Sequence, residues 1–142
     1  MMIRKAALDD SEKIYRLLCE LENEELPINS FKEVFLENLK NPRVNYLVCE
    51  NENNIVAFAS LHIQSLLHHC SKAAEIQELI VQEKQKGNGI GKKLFDEMVS
   101  IAQENNCSIL EVCCNQKRIP SHKFYEHCGM LKSHYKFTYP LD

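Results

Sequence analysis

The sequence predicts a mixed α/β (α+β) fold whose central sheet is mostly antiparallel and is flanked by about four helices. Helical periodicity opens the chain, and three strand patterns separated by short turns follow it. Strand and helix patterns then alternate after a cluster of glycines, since three of the four glycines fall within residues 87–91. Strands joined by a tight turn pair antiparallel, whereas strands joined through a helix pair parallel. We therefore expect an antiparallel region first and a parallel strand pair beside the glycine cluster.

The first half of the chain is predicted to contain two helices and three strands. Apolar residues recur at helical spacing over Ile14–Leu21 and predict the first helix. Ser30 and Glu33 form a capping-box pattern ahead of a second apolar face, which predicts that the second helix begins at Ser30. The predicted strands are Tyr46–Glu50, Ile55–Gln64 and Ala74–Gln82, with a hairpin turn at Asn51–Asn54.

The second half is predicted to alternate helix and strand. Gly129 is expected at the left-handed position that ends the last helix. No linker or low-complexity tract interrupts the chain, so residues 1–142 are interpreted as a single domain. The predicted elements are a helix over Gly89–Asn105, a strand over Ser108–Cys114, a helix over Ser121–Cys128 and a strand over Leu131–Tyr139.

Composition excludes several classes of protein. The 142 residues include 17 Lys and Arg against 20 Asp and Glu, and the net charge of −3 argues against a nucleic-acid partner. No apolar run approaches the ~20 residues of a membrane span. The 7 cysteines include no Cys-x-x-Cys pair, so neither a disulfide framework nor a zinc site is indicated. We expect a cytoplasmic protein with no nucleic-acid or membrane partner, and the sequence leaves open whether it is a monomer or a homodimer.

The glycine turn, Lys86–Gly91, lies between a predicted buried strand and an amphipathic helix. Unpaired amides and the helix macrodipole make such a helix start attractive to a phosphate group. The phosphate loop of nucleotide hydrolases would require a glycine at Lys86 and a hydroxyl at Lys93, and both conditions fail. The dinucleotide pattern Gly-x-Gly-x-x-Gly fails as well. Two common nucleotide-binding motifs are thereby excluded.

The glycine turn resembles the pyrophosphate turn of the GCN5-related N-acetyltransferases (GNAT), although Lys86 stands where that family usually has Arg or Gln. Phe124–Met130 and Asn115 resemble further segments of the same family, so the likeness extends over nearly the whole chain. The resemblance implies the GNAT fold, in which the parallel strand pair is splayed, and acetyl-CoA as cosubstrate. The cofactor-binding residues that it implies are Leu79, Ile80, Val81, Lys86, Gly87, Asn88, Gly89, Ile90, Gly91, Lys92 and Asn115.

Three local strings resemble the aminoalkylphosphonate N-acetyltransferases more narrowly; they fall within Leu61–His69, Glu75–Leu79 and Asn115–Tyr125. They imply a small-molecule acceptor that carries a primary amine and a phosphonate. Lys136 stands where those relatives carry arginine, so another small amine or a peptide amine is kept as an alternative acceptor. A noncatalytic acyl-CoA sensor is the alternative from a different class, and it would need neither Tyr125 nor a carboxylate in a cleft.

Transfer from a thioester to an amine requires a base for the ammonium proton and a hydrogen donor for the departing thiolate. Glu75 and Glu78 are the candidate bases, and strand alternation places them on opposite faces unless a bulge intervenes. The resemblance implies a bulge in this strand, and we favour Glu78 as the base. It also implies that Tyr125 is the general acid.

Several other polar residues are predicted to shape the acceptor site rather than to bind a metal. The spacing of His62, His68 and His69 matches no standard metal site, so a divalent ion held by these residues with Glu78 is kept only as an alternative. Cys113–Cys114 is interpreted as part of a buried strand, because the resemblance implies direct transfer in a ternary complex. The predicted substrate-binding residues are His62, His69, Arg118 and His134.

Overall fold

The computed structural model describes all 142 residues of the chain. It contains two compact units, Met1–Glu111 and Val112–Asp142. The first unit holds the sheet and three helices, and the second holds the last helix and a C-terminal segment. The helices are α1 (Ser11–Glu22), α2 (Ile28–Leu39), α3 (Ile90–Glu104) and α4 (Ile119–His127).

A five-stranded sheet forms the centre of the first unit, and its strands lie side by side in the order of the chain. The first four strands pair antiparallel with their neighbours, and the last two pair parallel. This arrangement confirms the predicted mixed fold with an antiparallel region and a parallel pair. The strands are β1 (Met2–Lys5), β2 (Val44–Asn51), β3 (Asn54–Leu66), β4 (Ser71–Val81) and β5 (Cys107–Val112).

The two faces of the sheet bury different helices. Helices α1 and α2 pack on the face that carries Val48, Phe58 and Ile80, where Ile14 and Phe35 complete an apolar cluster. Helix α3 contacts β2, β3 and β4, and its buried apolar side chains cover those that alternate onto the other face. Full burial of one large apolar side chain contributes about 1.5–3 kcal/mol. Helices on both faces therefore hold β3 and β4, the strands that carry the candidate carboxylates and the approach to the glycine turn.

Two details of the N-terminal region differ from the prediction. The sequence patterns do not predict β1, because a strand of four residues that includes Arg4 and Lys5 gives no clear alternation. Arg4 holds this strand through a bidentate pair with Asp10, at 2.8 Å (Nη1–Oδ2) and 3.0 Å (Nη2–Oδ1). Helix α2 begins at Ile28, so Ser30 lies inside the helix instead of capping it.

The predicted final strand over Leu131–Tyr139 is wrong. The arm, which we define as Leu131–Asp142, has no regular secondary structure, and every residue in it is exposed. A strand needs a neighbour to take up its backbone hydrogen bonds, and the arm pairs with none of the five strands of the sheet. The arm therefore keeps the alternating sequence of a strand without the pairing of one.

The structure also bears on the predictions made for the cysteines and for a membrane span. Strand β5 ends at Val112, so the interpretation of Cys113–Cys114 as part of a buried strand is wrong. None of the seven cysteines forms a disulfide, and Cys70 and Cys113 are exposed. No helix in the structure has the length and apolar character needed to cross a bilayer.

Candidate active site

The glycine turn is built from backbone conformations that suit glycine. After a short 3-10 turn at Glu83–Gln85, Gly87 has φ +86° and Gly89 has φ +77°, and α3 begins at Ile90. Other residues adopt these left-handed conformations only at a cost in energy. A Cβ added to Gly87 or Gly89 would meet no atom within 4 Å. The space beside the turn is therefore open, and the glycines are required by the backbone rather than by close packing.

The start of α3 has the features of an anion site. Gly89 is its N-cap and supplies no side-chain cap, so the first amides of the helix are left for other acceptors. The aligned peptide dipoles add about half a positive charge at this end. The ammonium of Lys86 lies 2.9 Å from Glu83, and that of Lys92 lies 2.5 Å from Asp96. Exposed pairs of this kind contribute about 0.3–0.5 kcal/mol and open readily, so the predicted phosphate contacts of both lysines are energetically accessible.

The backbone of β4 offers hydrogen-bonding groups beside this helix start. The amide of Gln82 donates to the carbonyl of Val56 at 2.8 Å, and Ile80 lies opposite Phe58 in the same register. Backbone groups alternate in direction along an antiparallel strand. Those of Ile80 therefore face β3, whereas those of Leu79 and Val81 face away from it, toward β5.

The parallel strands β4 and β5 contact each other through side chains near the start of each strand. Ser71 Oγ lies 2.5 Å from Ser108 Oγ, which also approaches the carbonyl of Lys72 at 3.5 Å. Contact between the two strands is sparse elsewhere. The outward backbone groups near the end of β4 therefore have room for an extended ligand between the strands, which agrees with the predicted splay.

A bulge interrupts β4, as the resemblance implied. Ser60 lies opposite Glu78, but the next residue of β3, Leu61, lies opposite Ile76, so Gln77 is the extra residue. A single extra residue reverses the face on which all following side chains lie. The bulge therefore decides where both candidate carboxylates point.

Both Glu75 and Glu78 lie on one face of the sheet because of the bulge. Glu75 is opposite His62 and Glu78 is opposite Ser60, and these two partners share a face because they are two residues apart on β3. We call these four residues the polar strip. The parity argument, by which only one glutamate could reach the cleft, does not apply once Gln77 is bulged.

Glu78 is held more firmly than a surface carboxylate. The hydroxyl of Ser60, which is fully buried, donates to Glu78 Oε1 and accepts the amide hydrogen of Glu78 at 3.0 Å. These two bonds fix both the backbone and the carboxylate of the same residue. Glu75 differs, since its Oε1 accepts a hydrogen bond from Nε2 of the bulged Gln77 at 2.8 Å.

A tyrosine from β2 borders Glu78 on the helix-covered face. Tyr46 lies opposite Ser60, and its hydroxyl accepts a hydrogen bond from Asn38 Nδ2 at 2.7 Å. Burial raises the pKa of Tyr46, and the negative charge of Glu78 acts in the same direction. Sequence reasoning missed Ser60, Tyr46 and Asn38. The available signal was Ser60, a hydroxyl that follows an unbroken apolar run on a predicted strand.

The histidines are not assembled into a metal site. His68 and His69 lie in a 3-10 turn after β3, with their ring centroids 4.3 Å apart. The structure contains no group of three or more His, Cys, Asp or Glu side chains arranged to hold a metal ion. His62, His68 and His69 therefore do not join Glu78 in a ligand set.

In the second unit, Tyr125 lies on α4 with its ring 5.2 Å from that of Phe124. Burial raises the pKa of Tyr125 to about 12; the neighbouring Cys114 adds to this effect and the positive charge of Arg118 opposes it. A phenol of this pKa is protonated throughout the neutral range. Tyr125 can therefore donate a hydrogen bond but is a weak proton donor.

Other predicted residues of the second unit lie around the start of α4 and on the arm. Asn115 Oδ1 accepts the amide hydrogen of Lys117 at 2.9 Å, which is a turn-forming bond. Arg118 is exposed at the N-cap of α4. His134 lies on the exposed arm, where Nδ1 is 2.6 Å from Ser133 Oγ.

The fold places a helix start that suits a phosphate-bearing ligand directly after a strand that carries two carboxylates. These features define a class of proteins that bind such a ligand beside acidic side chains. The model of the acetyltransferase (GNAT) family matches residues 11–130, and the chain belongs to this family. It is accordingly an N-acetyltransferase. Enzymes of this family use acetyl-CoA as cosubstrate.

Two acetyltransferases of known sequence align with this chain, one over almost its full length and one over little more than half of it. The aminoalkylphosphonate N-acetyltransferase of Salmonella typhimurium is 35% identical over 139 residues, which cover 98% of this chain and 90% of the relative. The glucosamine 6-phosphate N-acetyltransferase of Candida albicans is 28% identical over 85 residues, which cover 59% of this chain and 55% of the relative. These matches confirm the family resemblance that the motifs indicate.

Solved structures share the fold over nearly the full length. A transcriptional regulator from Bacillus halodurans has a TM-score of 0.91 at 24% identity, with 99% of each chain covered. The glucosamine-6-phosphate N-acetyltransferase of Arabidopsis thaliana has a TM-score of 0.84 at 25% identity, with 99% of this chain and 98% of that chain covered. The fold predicted from the sequence is confirmed by these alignments.

Proposed function

We propose that the protein transfers the acetyl group of acetyl-CoA to the primary amine of a small aminoalkylphosphonate by direct attack in a ternary complex. The observation that carries the proposal is the bulge at Gln77, which sets Glu75 and Glu78 on one face of β4. The choice of acceptor is supported by the Salmonella typhimurium relative, whose similarity spans 98% of this chain. Residues 1–142 are proposed to act as one domain, in the cytoplasm.

The cosubstrate fits the backbone features of the first unit. We assign its pyrophosphate to the amides at the start of α3, where the space beside Gly89 is open. We assign its extended pantetheine arm to the outward backbone groups of Leu79 and Val81. When bound, acetyl-CoA supplies an activated acyl group as a thioester.

Glu78 is proposed as the base. An alkylamine has a pKa near that of lysine, ~10, so almost all of it is ammonium at neutral pH and must lose a proton before it can attack. The Ser60 hydroxyl holds one carboxylate oxygen of Glu78 and leaves the other for this proton. Glu75, beside His62, is the second carboxylate of the polar strip and attracts the ammonium group.

Tyr125 is proposed to stabilise the departing thiolate. A thiol has a pKa of ~8.5, so a phenol of pKa about 12 keeps its hydrogen in the presence of the thiolate and donates a hydrogen bond to it. This role differs from complete proton transfer. The thiolate is neutralised afterwards by solvent or by the proton that Glu78 has taken up.

Arg118, His62, His69 and His134 are proposed to recognise the acceptor. A guanidinium grips two phosphonate oxygens at once, and each charge-assisted hydrogen bond contributes about 1.5–3 kcal/mol. Glucosamine 6-phosphate, the substrate named for the Candida albicans relative, also combines an amine with an oxyanion of phosphorus. The acceptor class is therefore expected to be set by that pair of groups.

A panel of amines tests this proposal, with the acetylated product measured directly by chromatography. We expect kcat/KM for 2-aminoethylphosphonate to exceed that for ethylamine, its matched control without phosphonate, by at least ~100-fold, because two charge-assisted hydrogen bonds are lost. Equal rates for the two amines, or a preference for a peptide amine, would contradict the acceptor class. Faster reaction of glucosamine 6-phosphate would place the acceptor among sugar phosphates instead.

Tyr125→Phe tests the role of the phenol. We expect kcat to fall by roughly 10-fold while the Kd for acetyl-CoA stays unchanged, because the hydrogen bond forms only as the thiolate departs. The raised pKa keeps Tyr125 protonated well above pH 10. The ratio of wild-type to variant kcat should therefore be constant from pH 7 to pH ~10. A ratio that declines across this range would mean that the phenol titrates there and would contradict the assignment.

A further inference from the structure

A tyrosine from β2 ends a row of three polar side chains on one face of the sheet. Tyr46 lies opposite Ser60 of β3, and Ser60 lies opposite Glu78 of β4. Residues directly opposite each other on antiparallel strands share a face. Since neighbouring strands are about 4.8 Å apart, the row spans roughly 10 Å across the sheet. A small acceptor whose amine lies at Glu78 is therefore within reach of the Tyr46 side chain.

The hydroxyl of Tyr46 has a hydrogen that no group of the protein accepts. Its oxygen accepts a hydrogen bond from Asn38 Nδ2 at 2.7 Å, and this is the one hydrogen bond that the hydroxyl forms. A phenol donates one hydrogen bond as well as accepting, whereas an amide nitrogen only donates. Tyr46 is also partly exposed. Its O–H group is therefore available to an acceptor atom of a bound molecule.

The position of this hydroxyl is fixed by packing of the ring. The ring of Tyr46 is stacked on that of Phe35 from α2, with centroids 5.3 Å apart and planes inclined by 11°. The ring of Phe58 from β3 lies 5.4 Å away at an angle of 60°. Both phenylalanines are buried. A donor that is already held in place loses little conformational freedom when a ligand binds, so the O–H group is preorganised.

The hydroxyl is a neutral donor beside a carboxylate. Burial raises the pKa of Tyr46, the bond from Asn38 opposes this effect, and the negative charge of Glu78 adds to it. The phenol therefore keeps its hydrogen throughout the neutral range. A lysine or arginine in this row would pair with Glu78 and make its carboxylate a weaker base. A phenol can bind an oxyanion without that effect.

We infer that Tyr46 determines specificity for the acceptor: its hydroxyl donates a hydrogen bond to a phosphonate oxygen while Glu78 binds the amine. The inference rests on the proposed function and adds to it a residue that recognises the phosphonate. Asn38 is a positioning residue, because its bond to the phenol oxygen leaves the phenol hydrogen for the acceptor. An amine without an oxyanion gains nothing from this arrangement.

Tyr46→Phe tests the inference, since it removes the hydroxyl and keeps the ring. The ratio of kcat/KM for 2-aminoethylphosphonate to that for ethylamine should fall by about 10–100-fold, through a higher KM for the phosphonate, as expected for one charge-assisted hydrogen bond. An unchanged Kd for acetyl-CoA shows that the variant is folded. Tyr15→Phe is the matched control and should keep the ratio, because Tyr15 belongs to the same series of packed rings but donates to the carbonyl of Leu26.

Asn38→Asp tests the direction of the hydrogen bond while Tyr46 is retained. The new carboxylate accepts the phenol hydrogen and withdraws it from the acceptor, so the ratio should fall to about that of Tyr46→Phe. Asn38→Ala leaves the hydrogen free and should keep most of the ratio. In the Tyr46→Phe background, Asn38→Asp should add little. An additive loss would mean that the new charge acts directly on the phosphonate, and would overturn the role of Asn38.

The same measurements separate this inference from the proposed function. If the wild type prefers the phosphonate and Tyr46→Phe keeps that preference at full strength, the inference is wrong and the proposed function stands. If the wild type shows no preference, the proposed function is wrong and the inference is overturned with it. A full ratio in Asn38→Asp would also overturn the inference, because the phenol hydrogen would then have no part in recognition.

Discussion

The glycine turn follows β4, the strand that carries the two carboxylates of the polar strip, but the two regions are built in different ways. In the glycine turn the working groups are backbone amides, presented by the left-handed conformations of Gly87 and Gly89. In the polar strip they are side chains, aligned by the bulge at Gln77 and by the hydroxyl of Ser60. A site made of backbone depends on local conformation alone, whereas a site made of side chains depends on the register between two strands.

The contrast predicts that single substitutions act differently in the two regions. A change at the glycine turn alters the binding of the cosubstrate, because the same backbone holds the pyrophosphate before and during the reaction. A change in the polar strip leaves that binding intact and lowers the rate, because the carboxylates act on the amine. Three principal substitutions, each with its comparison variants, test this division and are ordered from the largest expected effect to the smallest.

Gly89→Asp should have the largest effect. It puts a carboxylate at the anion site and a Cβ at a φ of +77°, so we expect the Kd for acetyl-CoA to rise by at least ~100-fold. Gly89→Asn has the same shape without the charge and tolerates positive φ better, so its Kd should rise by about 10-fold. Calorimetry measures both values. Gly129→Asn is a control, because Gly129 also has a positive φ but lies outside the glycine turn.

If Asp and Asn at position 89 weaken binding equally, charge has no part in the site and the assignment of the pyrophosphate is wrong. If neither weakens it, the glycine turn does not hold the cosubstrate. Either result would remove the distinction between a backbone site and a side-chain site.

Glu78→Gln should lower kcat by roughly 100-fold at pH 7, as expected for loss of a general base. The loss should shrink as the pH rises toward ~10, because the amine then deprotonates without help. Glu75→Gln has a similar change in charge on the same face and should cost less than about 10-fold. Steady-state rates over a pH series measure both effects. A larger loss for Glu75→Gln would exchange the roles of the two carboxylates.

Ser60→Ala should have the smallest effect, a fall in kcat of about 3–10-fold with little change in either KM, since one hydrogen bond that positions Glu78 is lost. Ser65→Ala is the matched control on the same strand, because Ser65 is exposed and bonds to Arg43 rather than to a carboxylate. In the Glu78→Gln background the Ser60 substitution should cost much less. Additive losses would mean that Ser60 acts independently of Glu78.

The fold was largely accessible from the sequence because most of its elements have strong periodic patterns. The two exceptions are β1, which is too short to show alternation, and the arm, which shows alternation without pairing. Pattern alone reports which side chains could share a face. It does not report whether a neighbouring strand is present.

The candidate site was accessible only in part for the same reason. The glycines of the turn carry their conformational requirement in their own identity, so the open helix start could be predicted. The placement of Glu75 with Glu78 required the register around Gln77, which family resemblance suggested and residue spacing did not. Ser60 and Tyr46 were missed because their roles arise from contacts across strands, at sequence distances that no local pattern spans.

The seven cysteines outside any disulfide affect how catalysis is best followed. A sulfhydryl reagent that detects released coenzyme A also reacts with accessible protein thiols, and Cys70 and Cys113 are open to solvent. Each enzyme molecule then contributes a signal of its own before any turnover, and that signal grows with the amount of enzyme added. Poor acceptors, which demand the most enzyme, would be the ones most easily mistaken for substrates.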